Sequence, residues 1–325
     1  LLLCNGGYMI KKISLGVLAL LTLAVIVTFV FYASFRSEKL AALEAGSQIA
    51  ETSAGPIEYQ FIGDSGPVLL FLHGTPGGYD QATAIPGTRV LAPSRPGYLR
   101  SALEVGQTPT AQAHAYAALL DSLSINSVVV MGASGGGPSS IAFASLYPDR
   151  TLGLIAMEAV SQPTVITEVQ EEPPFLMQLL TQSDFFMWAS ISLMETFMGP
   201  EALVSLMIPD PENQQLVLED ASKTAQMESL IWSIWPISQR QAGQDNDLVQ
   251  FETPGLSSET ITVPTLIIHG TEDANVPYEQ SELLAEQISG SVLHTIEGAD
   301  HMMPFSHAEE VAAATADFLN EHNFK

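Results

Sequence analysis

The sequence is poor in cysteine and in basic residues. Cys4 is the only cysteine among 325 residues, so no disulfide bond within the chain and no cysteine metal cluster can form. Lys11, Lys12 and Arg36 lie in the first 36 residues, which hold no acid. Beyond them eight bases face 36 acids, a net charge of −28. This balance excludes a nucleic-acid partner, because no basic surface remains to neutralise phosphates.

Motifs for metals and for dinucleotides are also missing. The chain has no H-E-x-x-H and no clustered spacing of aspartate and histidine that would predict a metal site. It has no G-x-G-x-x-G with a following acid, the pattern typical of dinucleotide binding. We therefore expect no metal and no other cofactor. The acidic excess is typical of a surface that favours solubility.

A long hydrophobic run lies near the N-terminus. Residues 13–35, ISLGVLALLTLAVIVTFVFYASF, carry no charge, and a helix needs about 20 such residues to cross a bilayer. The apolar region of a cleaved signal peptide is shorter, about 7–15 residues, and Phe31 stands where its cleavage site requires a small residue. We therefore predict a transmembrane helix or signal anchor that makes the protein membrane-anchored and single-pass.

The segments on either side of this run are short. Residues 1–12 are predicted as an N-terminal leader, and the eight residues before Met9 look like upstream sequence. The weak excess of basic charge before the run favours a cytoplasmic N-terminus and an extracytoplasmic soluble domain. Cleavage of the run would instead give a secreted protein. Residues 36–54 are interpreted as a polar tether, either helical or flexible.

From Gly55 onward, strand-like and helix-like segments alternate. The apolar runs VLLFL, SVVVM and TLIIH are short and nearly continuous, which is typical of strands buried on both faces. The helical patterns between them imply βαβ units and a mostly parallel sheet. Residues 55–162 and 251–325 are predicted to form the two parts of this core.

Residues 163–250 interrupt the alternation. The stretch has helical patterns and holds six of the eleven methionines and all three tryptophans. Helices inserted here, after the strand-like LGLIAMEAV, would cover the carboxyl ends of the strands as a cap. Faces rich in methionine and aromatic residues serve packing more often than substrate binding.

A serine among glycines follows the strand-like SVVVM. Ser134 lies in the pattern G-x-S-x-G formed with Gly132 and Gly136, between that run and the helix-like PSSIAFASLY. In this context the pattern predicts a sharp strand-to-helix turn that pushes out the serine hydroxyl. A flexible linker is excluded, because linkers do not join a β-branched run to a helix. The amide of Gly135 would then face the space where an oxyanion develops.

A second glycine-rich loop follows an earlier strand. In LLFLHGTPGG, residues 69–78, the amide of Thr75 is the other candidate oxyanion donor. Gly74 would let the loop approach the serine closely, and His73 would brace the loop. The alternative is an ordinary Pro-Gly turn.

An acid and a base come later in the chain. Asp273 in LIIHGTEDANVP and His301 in TIEGADHMMPF each follow a predicted strand. A serine hydroxyl is a poor nucleophile without a base, and the base needs an orienting acid. The order Ser134, Asp273, His301 therefore predicts a nucleophile, its acid and its base.

These elements resemble the α/β-hydrolase family over about residues 56–322. The resemblance implies an α/β-hydrolase fold, with a mostly parallel sheet flanked by helices and an inserted helical cap. It implies Ser134 as nucleophile, Asp273 as acid and His301 as base, with Thr75 and Gly135 as oxyanion donors. Esterases and prolyl-iminopeptidase-like enzymes form the branch that is most similar.

Several positions depart from the family pattern. Ser94 stands where members often carry aspartate, which affects a local contact more than the chemistry. Gly135 stands where iminopeptidases often have tryptophan, which weakens a peptidase interpretation. Ser134 argues against dehalogenases and epoxide hydrolases, whose nucleophile is aspartate. Glu158, at the end of LGLIAMEAV, rivals Asp273, since some members place the acid after that strand.

The remaining histidines are given other roles. His269 is interpreted as a hydrogen-bonded core residue at the end of a strand. The others have no acidic partner at a telling spacing and are assigned surface or packing roles: His114, His294, His307 and His322.

The sequence thus predicts a serine hydrolase that cleaves a small, fairly apolar carboxylic ester through an acyl-enzyme. Its expected partners are a small-molecule acyl substrate and the membrane, and the oligomeric state stays open. An alternative is an aminopeptidase of the prolyl-iminopeptidase type, in which Glu168, Glu171 or Glu172 would bind the amine of the substrate. A second alternative is a non-catalytic ligand-binding protein, against which the three catalytic residue types argue.

Overall fold

The computed structural model describes residues 4–163 and 182–324, and side chains from residue 15 onward. The chain divides into two compact units, residues 1–46 and residues 47–325. The predicted cap carboxylates Glu168, Glu171 and Glu172 lie outside the described residues.

The first unit is one helix, α1 (Cys4–Ala45). Its part from Leu15 to Ala45 is long and apolar enough to cross a membrane, with a mean hydropathy of 2.6 in its most apolar window and none of that window buried. This confirms a single candidate membrane helix or signal sequence near the N-terminus of the described chain. The helix also extends ten residues beyond the predicted end of the hydrophobic run at residue 35.

The second unit is built on one eight-stranded sheet. The order of strands across the sheet is β1-β2-β4-β3-β5-β6-β7-β8. Pairs β1–β2 and β2–β4 are antiparallel and every other pair is parallel, which confirms the mostly parallel sheet. The strands are β1 (Gln48–Thr52), β2 (Gly55–Ile62), β3 (Val68–Leu72), β4 (Arg89–Pro93), β5 (Val128–Ala133), β6 (Thr151–Met157), β7 (Thr265–Gly270) and β8 (Val292–Ile296).

In the second unit, helices follow β4 and each strand after it in the chain. They are α2 (Pro109–Ser122), α3 (Gly137–Leu146), α4 (Asp184–Met198), α5 (Pro200–Met207), α6 (Pro211–Leu218), α7 (Ala221–Ser233), α8 (Gln241–Glu252), α9 (Glu279–Gln287), α10 (Met303–Ser306) and α11 (Ala308–Glu321). Local signals explain several helix starts. Thr108 caps α2 by accepting a hydrogen bond from the amide of Ala111, and Pro109 occupies the first turn, where its missing N–H costs nothing.

The central strands lie in the core because both of their faces are covered. All six residues of β7 are buried, and β5 is buried as far as Gly132. Helices α2 and α3 supply much of the covering layer, with alanine, leucine and phenylalanine side chains packed against the sheet. The continuous apolar runs of these strands are the sequence signal of this two-sided burial.

The segment predicted as a helical or flexible tether, residues 36–54, is helical in its first part and contains a strand that was not predicted. Helix α1 continues to Ala45, and residues 48–52 form β1, which pairs with β2 in a hairpin. The hydroxyl of Thr52 closes the turn by donating to the carbonyl oxygen of Gly55 at 2.6 Å. The segment is polar because β1 is an edge strand in which only Ala50 is buried, and edge strands lack the apolar runs of the core.

Helices α4–α8 lie in the chain between β6 and β7, where the cap was predicted. They have an apolar core of their own, formed by Ile191, Leu203, Val204, Ile208, Val217, Met227 and Ile231 together with Met302 from the segment before α10. Trp235 is fully buried and donates its indole N–H to the carbonyl oxygen of Asp184. These methionine and tryptophan side chains therefore pack the inserted helices against one another.

Candidate active site

Ser134 occupies a tight turn between β5 and α3. Its backbone has a φ of 48°, in the left-handed region that few residues other than glycine adopt. A methyl group on Gly132 would lie 2.2 Å from Oγ of Ser140, and one on Gly136 would lie 2.1 Å from the carbonyl oxygen of Leu72. Only glycine fits at both positions, as the sharp strand-to-helix turn around Ser134 requires.

A hydrogen-bonded chain connects Ser134 to His301 and Asp273. The Ser134 hydroxyl lies 3.1 Å from Nε2 of His301, and Nδ1 of His301 donates to Oδ2 of Asp273 at 2.6 Å. Ser134 follows β5, Asp273 follows β7 and His301 follows β8. Parallel strands end at the same edge of a sheet, so residues far apart in the sequence meet there.

Asp273 is held by more than His301. Its Oδ1 accepts hydrogen bonds from the backbone amides of Asn275 and Val276 at 2.8 and 2.9 Å. Nε2 of His269 lies 3.1 Å from Oδ2 of Asp273 and 3.0 Å from the carbonyl oxygen of Val276. Both neighbours are acceptors, so Nε2 of His269 carries the proton. His269 was predicted only as a core residue, and its contact with the carboxylate was missed.

The pKa values of Asp273 and His301 are shifted in the directions that favour a charged carboxylate beside a protonated imidazole. Burial alone would raise the pKa of Asp273, but hydrogen bonds from His269 and His301 outweigh it and hold that pKa below its ordinary value. Burial alone would lower the pKa of His301, but the hydrogen bond to Asp273 and the nearby Glu158 carboxylate raise it. An imidazolium is thereby stabilised next to Ser134.

Glu158 lies close to His301 without bonding to the triad. It follows β6, has a φ of 35°, and its buried Oε2 has no hydrogen-bond partner among the described residues. Burial raises the pKa of Glu158 to about 8, against a smaller opposing effect of His301. The carboxylate bonded to His301 is therefore that of Asp273, and the rival Glu158 is a buried neighbour whose pKa is raised.

The loop after β3 lies directly over the serine. A methyl group on Gly74 would lie 3.3 Å from Cβ of Ser134, and one on Gly135 would lie 2.1 Å from Oγ1 of Thr75. Thr75 and Gly135, the two candidate oxyanion donors, are thus neighbours beside Ser134. The Thr75 amide has no acceptor in the described part of the chain.

The contact between Thr75 and Gly135 also explains why the iminopeptidase tryptophan is absent. A side chain at residue 135 would meet both Thr75 and the Phe251 ring, whose Cζ lies 2.9 Å from the position of a Cβ.

His73 braces the loop as a neutral hydrogen-bonding group. Its Nε2 accepts from the amide of Arg95 at 2.9 Å, and its Nδ1 donates to the carbonyl oxygen of Gly74 at 2.8 Å. Burial and the charge of Arg95 lower the pKa of His73 well below its ordinary value. It therefore holds one tautomer and does not act as a proton carrier.

A buried polar cluster next to Thr75 was missed by the sequence reasoning. Arg95 and Asp247 form an ion pair that is almost fully buried. Tyr98 donates to Asp247 at 2.5 Å, and its ring lies under the guanidinium group of Arg95. Asp247 lies on α8, in a stretch where acids are common, so nothing in the local sequence marks it.

Each of the four remaining histidines makes a hydrogen bond or a ring contact with a residue other than Ser134, Asp273 and His301. His294 has an acidic partner after all, because its Nε2 donates to Glu310 at 3.1 Å on the surface. The contacts of the remaining three are His114 with Tyr147, His307 with Ser306, and His322 with Phe318 and Phe324. Within residues 4–163 and 182–324, no cluster of three side chains suited to a metal ion occurs.

Ser94 stands where family members often carry aspartate, and its side chain makes local hydrogen bonds. Its hydroxyl donates to Oε2 of Glu58 at 2.9 Å and accepts from the amide of Tyr79. Glu58 also binds Arg100 through a buried carboxylate. Ser94 therefore connects Glu58 of β2 to Tyr79, which follows the loop after β3.

Comparison with known proteins places these features in one family. The model described as "Alpha/beta hydrolase family" matches residues 69–314. An alpha/beta hydrolase fold protein from Nakamurella multipartita superposes with a TM-score of 0.75 at 32% identity, over 84% of this chain and 98% of that one.

Two curated relatives are similar in sequence. The uncharacterized hydrolase YcgS of Bacillus subtilis (strain 168) is 27% identical over 257 residues, which is 77% of this chain and 89% of the relative. A 2-hydroxy-6-oxononadienedioate/2-hydroxy-6-oxononatrienedioate hydrolase of Burkholderia vietnamiensis (strain G4 / LMG 22486) is 24% identical over 275 residues, or 81% of this chain and 90% of the relative.

Proposed function

The chain belongs to the alpha/beta hydrolase family, and we propose that it is a serine hydrolase that cleaves a small, fairly apolar carboxylic ester. The observation that carries the proposal is the chain of hydrogen bonds from Ser134 through His301 to Asp273, at 3.1 and 2.6 Å. Hydroxyl, imidazole and carboxylate in this order are the parts that acyl transfer to serine requires.

Acylation begins when Nε2 of His301 takes the hydroxyl proton of Ser134 and Oγ attacks the acyl carbon. The resulting imidazolium is stabilised by Asp273, which keeps its charge because its pKa is low. The amides of Thr75 and Gly135 bind the oxyanion of the tetrahedral intermediate. His301 then returns the proton to the alkoxide that leaves, and the acyl-enzyme remains.

Deacylation repeats these steps with water as the nucleophile. His301 removes a proton from water, the hydroxide attacks the acyl-enzyme, and the same amides bind the second oxyanion. The proton returns to Oγ of Ser134 as the carboxylic acid departs. The net reaction consumes one water and yields one acid and one alcohol.

An uncharged ester suits the polar groups near the serine better than an acidic substrate does. One relative is named for hydrolysing a dioate, a substrate with two carboxylates. The buried arginines of the described residues are Arg95 and Arg240, and each is already paired with a carboxylate, that of Asp247 or that of Asp80. No buried guanidinium in the described ranges is left to bind a dianion.

The aminopeptidase alternative depends on an acid that binds the free amine of a substrate. The carboxylates proposed for this role, Glu168, Glu171 and Glu172, lie outside the described residues. Turnover of proline naphthylamide without turnover of a short-chain nitrophenyl ester would favour the peptidase.

We further propose that α1 anchors the enzyme in a membrane as a single pass, with the hydrolase unit outside the cytoplasm. Its apolar length and the lack of burial in its most apolar window support the anchor. The orientation is supported only by the basic residues Lys11 and Lys12 before the apolar run. Extraction of membranes with alkaline carbonate should leave the full chain in the pellet, whereas a cleaved leader would release the hydrolase unit as a smaller soluble protein.

The test of the catalytic proposal is hydrolysis of nitrophenyl esters of rising acyl length by the full chain in detergent. Wild-type turnover with an optimum at short acyl chains, abolished in Ser134→Ala, is expected. A fluorophosphonate probe should label wild type and not Ser134→Ala. If wild type neither turns over any ester or amide nor takes up the probe, the protein is a non-catalytic member of the fold and the proposal fails.

A further inference from the structure

The side chain of Thr75 is tied into the buried cluster formed by Arg95, Tyr98 and Asp247. Its hydroxyl donates to Oδ2 of Asp247 at 2.5 Å and accepts from Nη2 of Arg95 at 2.9 Å. The same nitrogen of Arg95 donates to the carbonyl oxygen of Gly74 at 3.3 Å. Two adjacent residues of the oxyanion loop are therefore fixed by one ion pair.

The hydroxyl of Thr75 cannot itself serve the oxyanion while this network is intact. It has one proton, and that proton goes to the carboxylate of Asp247. A carboxylate is a stronger acceptor than a neutral group, so the bond fixes the rotamer of Thr75. The backbone amide, which has no acceptor in the described part of the chain, is left as the donor beside Ser134.

Asp247 lies on α8, the last of the inserted helices before β7. Two backbone contacts hold the start of α8 against the segment after β4. The amide of Gly243 donates to the carbonyl oxygen of Gly97 at 2.9 Å, and the amide of Leu99 donates to that of Gln239 at 2.6 Å. The carboxylate of Asp247 thus reaches the loop after β3 from a rigid element.

We propose that Asp247 is a positioning residue for the oxyanion hole, acting through the hydroxyl of Thr75. The ion pair with Arg95 holds the carboxylate, the carboxylate holds the threonine side chain, and the side chain holds the Thr75 amide next to that of Gly135. This proposal rests on the proposed serine hydrolase function. It predicts that loss of the hydroxyl at residue 75 affects the chemical step more than substrate binding, because the oxyanion forms only in the transition state.

The first test compares Thr75→Val with Thr75→Ser in the full chain, using the ester that wild type hydrolyses best. Valine has the shape of threonine without the hydroxyl and leaves the pair of Arg95 and Asp247 in place. We expect Thr75→Val to lower kcat about 10- to 100-fold with KM within about 2-fold, because a donor is misplaced rather than deleted. Its Tm should be lower than that of wild type, because the buried ion pair loses a hydrogen-bond partner. Thr75→Ser, which keeps the hydroxyl, should recover most of the lost kcat.

The second test asks whether Asp247 acts through the hydroxyl of Thr75. Asp247→Asn should lower kcat in the same way, and the double variant Thr75→Val/Asp247→Asn should be no slower than the slower single variant, since both remove one interaction. Glu58→Gln is the matched control, because Glu58 is another buried, ion-paired carboxylate and makes no contact with Thr75 in the described structure. Its kcat should equal that of wild type.

Several outcomes would overturn the positioning role of Asp247. They are a Thr75→Val enzyme with wild-type kcat, equal losses in Thr75→Val and Thr75→Ser, additive losses in the double variant, or the same loss of kcat in Glu58→Gln. A different result is expected if the proposed serine hydrolase function itself is wrong. In that case wild type itself hydrolyses no ester and its Ser134 takes up no fluorophosphonate.

Discussion

His269 and His301 both make hydrogen bonds to the same carboxylate oxygen of Asp273. Nε2 of His269 lies 3.1 Å from Oδ2 of Asp273, and Nδ1 of His301 lies 2.6 Å from that oxygen. Because Nε2 of His269 faces two acceptors and carries the proton, Nδ1 accepts from the hydroxyl of Ser281 at 2.6 Å. A second, fully buried histidine therefore helps to hold the carboxylate of Asp273 in place beside His301.

The first prediction is that His269→Leu weakens catalysis without removing it. The substitution deletes one hydrogen bond to the charged carboxylate, an interaction worth roughly 1.5–3 kcal/mol. If most of that energy goes into holding Asp273 in place, kcat/KM should fall about 10- to 100-fold. The measurement is ester hydrolysis at pH 7.5, with fluorophosphonate labelling to count active sites.

A histidine elsewhere supplies the control for this prediction. His294 binds Glu310 on the surface and makes no contact with Ser134, Asp273 or His301 in the described structure. His294→Gln should therefore keep wild-type kcat/KM. Equal activity of His269→Leu and wild type would show that the two backbone amides on Oδ1 are sufficient to hold Asp273.

The second prediction separates the two candidate acids. Asp273→Asn should lower kcat by roughly 10⁴, because asparagine can favour the wrong tautomer of His301 and cannot stabilise the imidazolium. Glu158→Gln should change kcat less than about 10-fold, since Glu158 makes no hydrogen bond to His301 in the structure. The reverse ranking of the two variants in single-turnover acylation would assign the acid to Glu158.

The third prediction concerns stability and pH at Glu158. Burial raises the pKa of this carboxyl from 4.5 to about 8. A folded-state pKa above the unfolded one stabilises the protein fully below about pH 4, and this contribution is lost as the pH rises through 8. Glutamine stays neutral throughout, so Glu158→Gln should be increasingly more stable than wild type between pH 5 and pH 8, by roughly 2 kcal/mol or more at the upper end.

Chemical denaturation at pH 5, 6, 7 and 8 checks this prediction. The difference in free energy of unfolding between the variant and wild type should grow with pH over this range. A difference that stays constant would mean that Glu158 keeps an ordinary pKa in the folded protein. Glu286→Gln serves as the control, because the side chain of Glu286 is exposed and makes no hydrogen bond or ion pair in the described part of the chain.

The core of the fold could be predicted because its signals are local. Continuous apolar runs mark strands buried on both faces, and β3, β5 and β7 lie where VLLFL, SVVVM and TLIIH predict them. Strand β1 was missed for the opposite reason. An edge strand exposes most of its side chains, so QIAET has no apolar run to distinguish it from a linker.

The meeting of Ser134, Asp273 and His301 could also be predicted, whereas the contacts that hold their neighbours in place could not. Ser134, Asp273 and His301 each follow a strand in a motif that can be seen in the sequence, and the structure brings the three side chains together. Asp247 is one of many acids on a helix, and its meaning depends on Arg95, 152 residues earlier in the chain. Pairings at such separations are set by the tertiary fold and leave no periodicity or spacing in the sequence.

The last prediction tests where the hydrolase unit begins. Strand β1 starts at Gln48, and the hydroxyl of Ser47 donates to the buried carboxylate of Glu58 at 2.6 Å. A chain that begins at Ser47 keeps these contacts and should be soluble, with the activity and Tm of the detergent-solubilised full chain. A chain that begins at Gly55 lacks β1, exposes the edge of β2 and loses the burial of Ala50, so it should have a lower Tm and should aggregate.

Thermal denaturation and size-exclusion chromatography of the two truncated chains measure the difference. If the chain from Gly55 matched the one from Ser47 in Tm and remained monodisperse, residues 47–54 would be the dispensable tether that the polar sequence suggests. The structure argues for the other outcome, because β1 pairs with β2 along five residues, from Gln48 opposite Tyr59 to Thr52 opposite Gly55. Removing that strand leaves the unpaired amides and carbonyl oxygens of β2 open to a neighbouring chain.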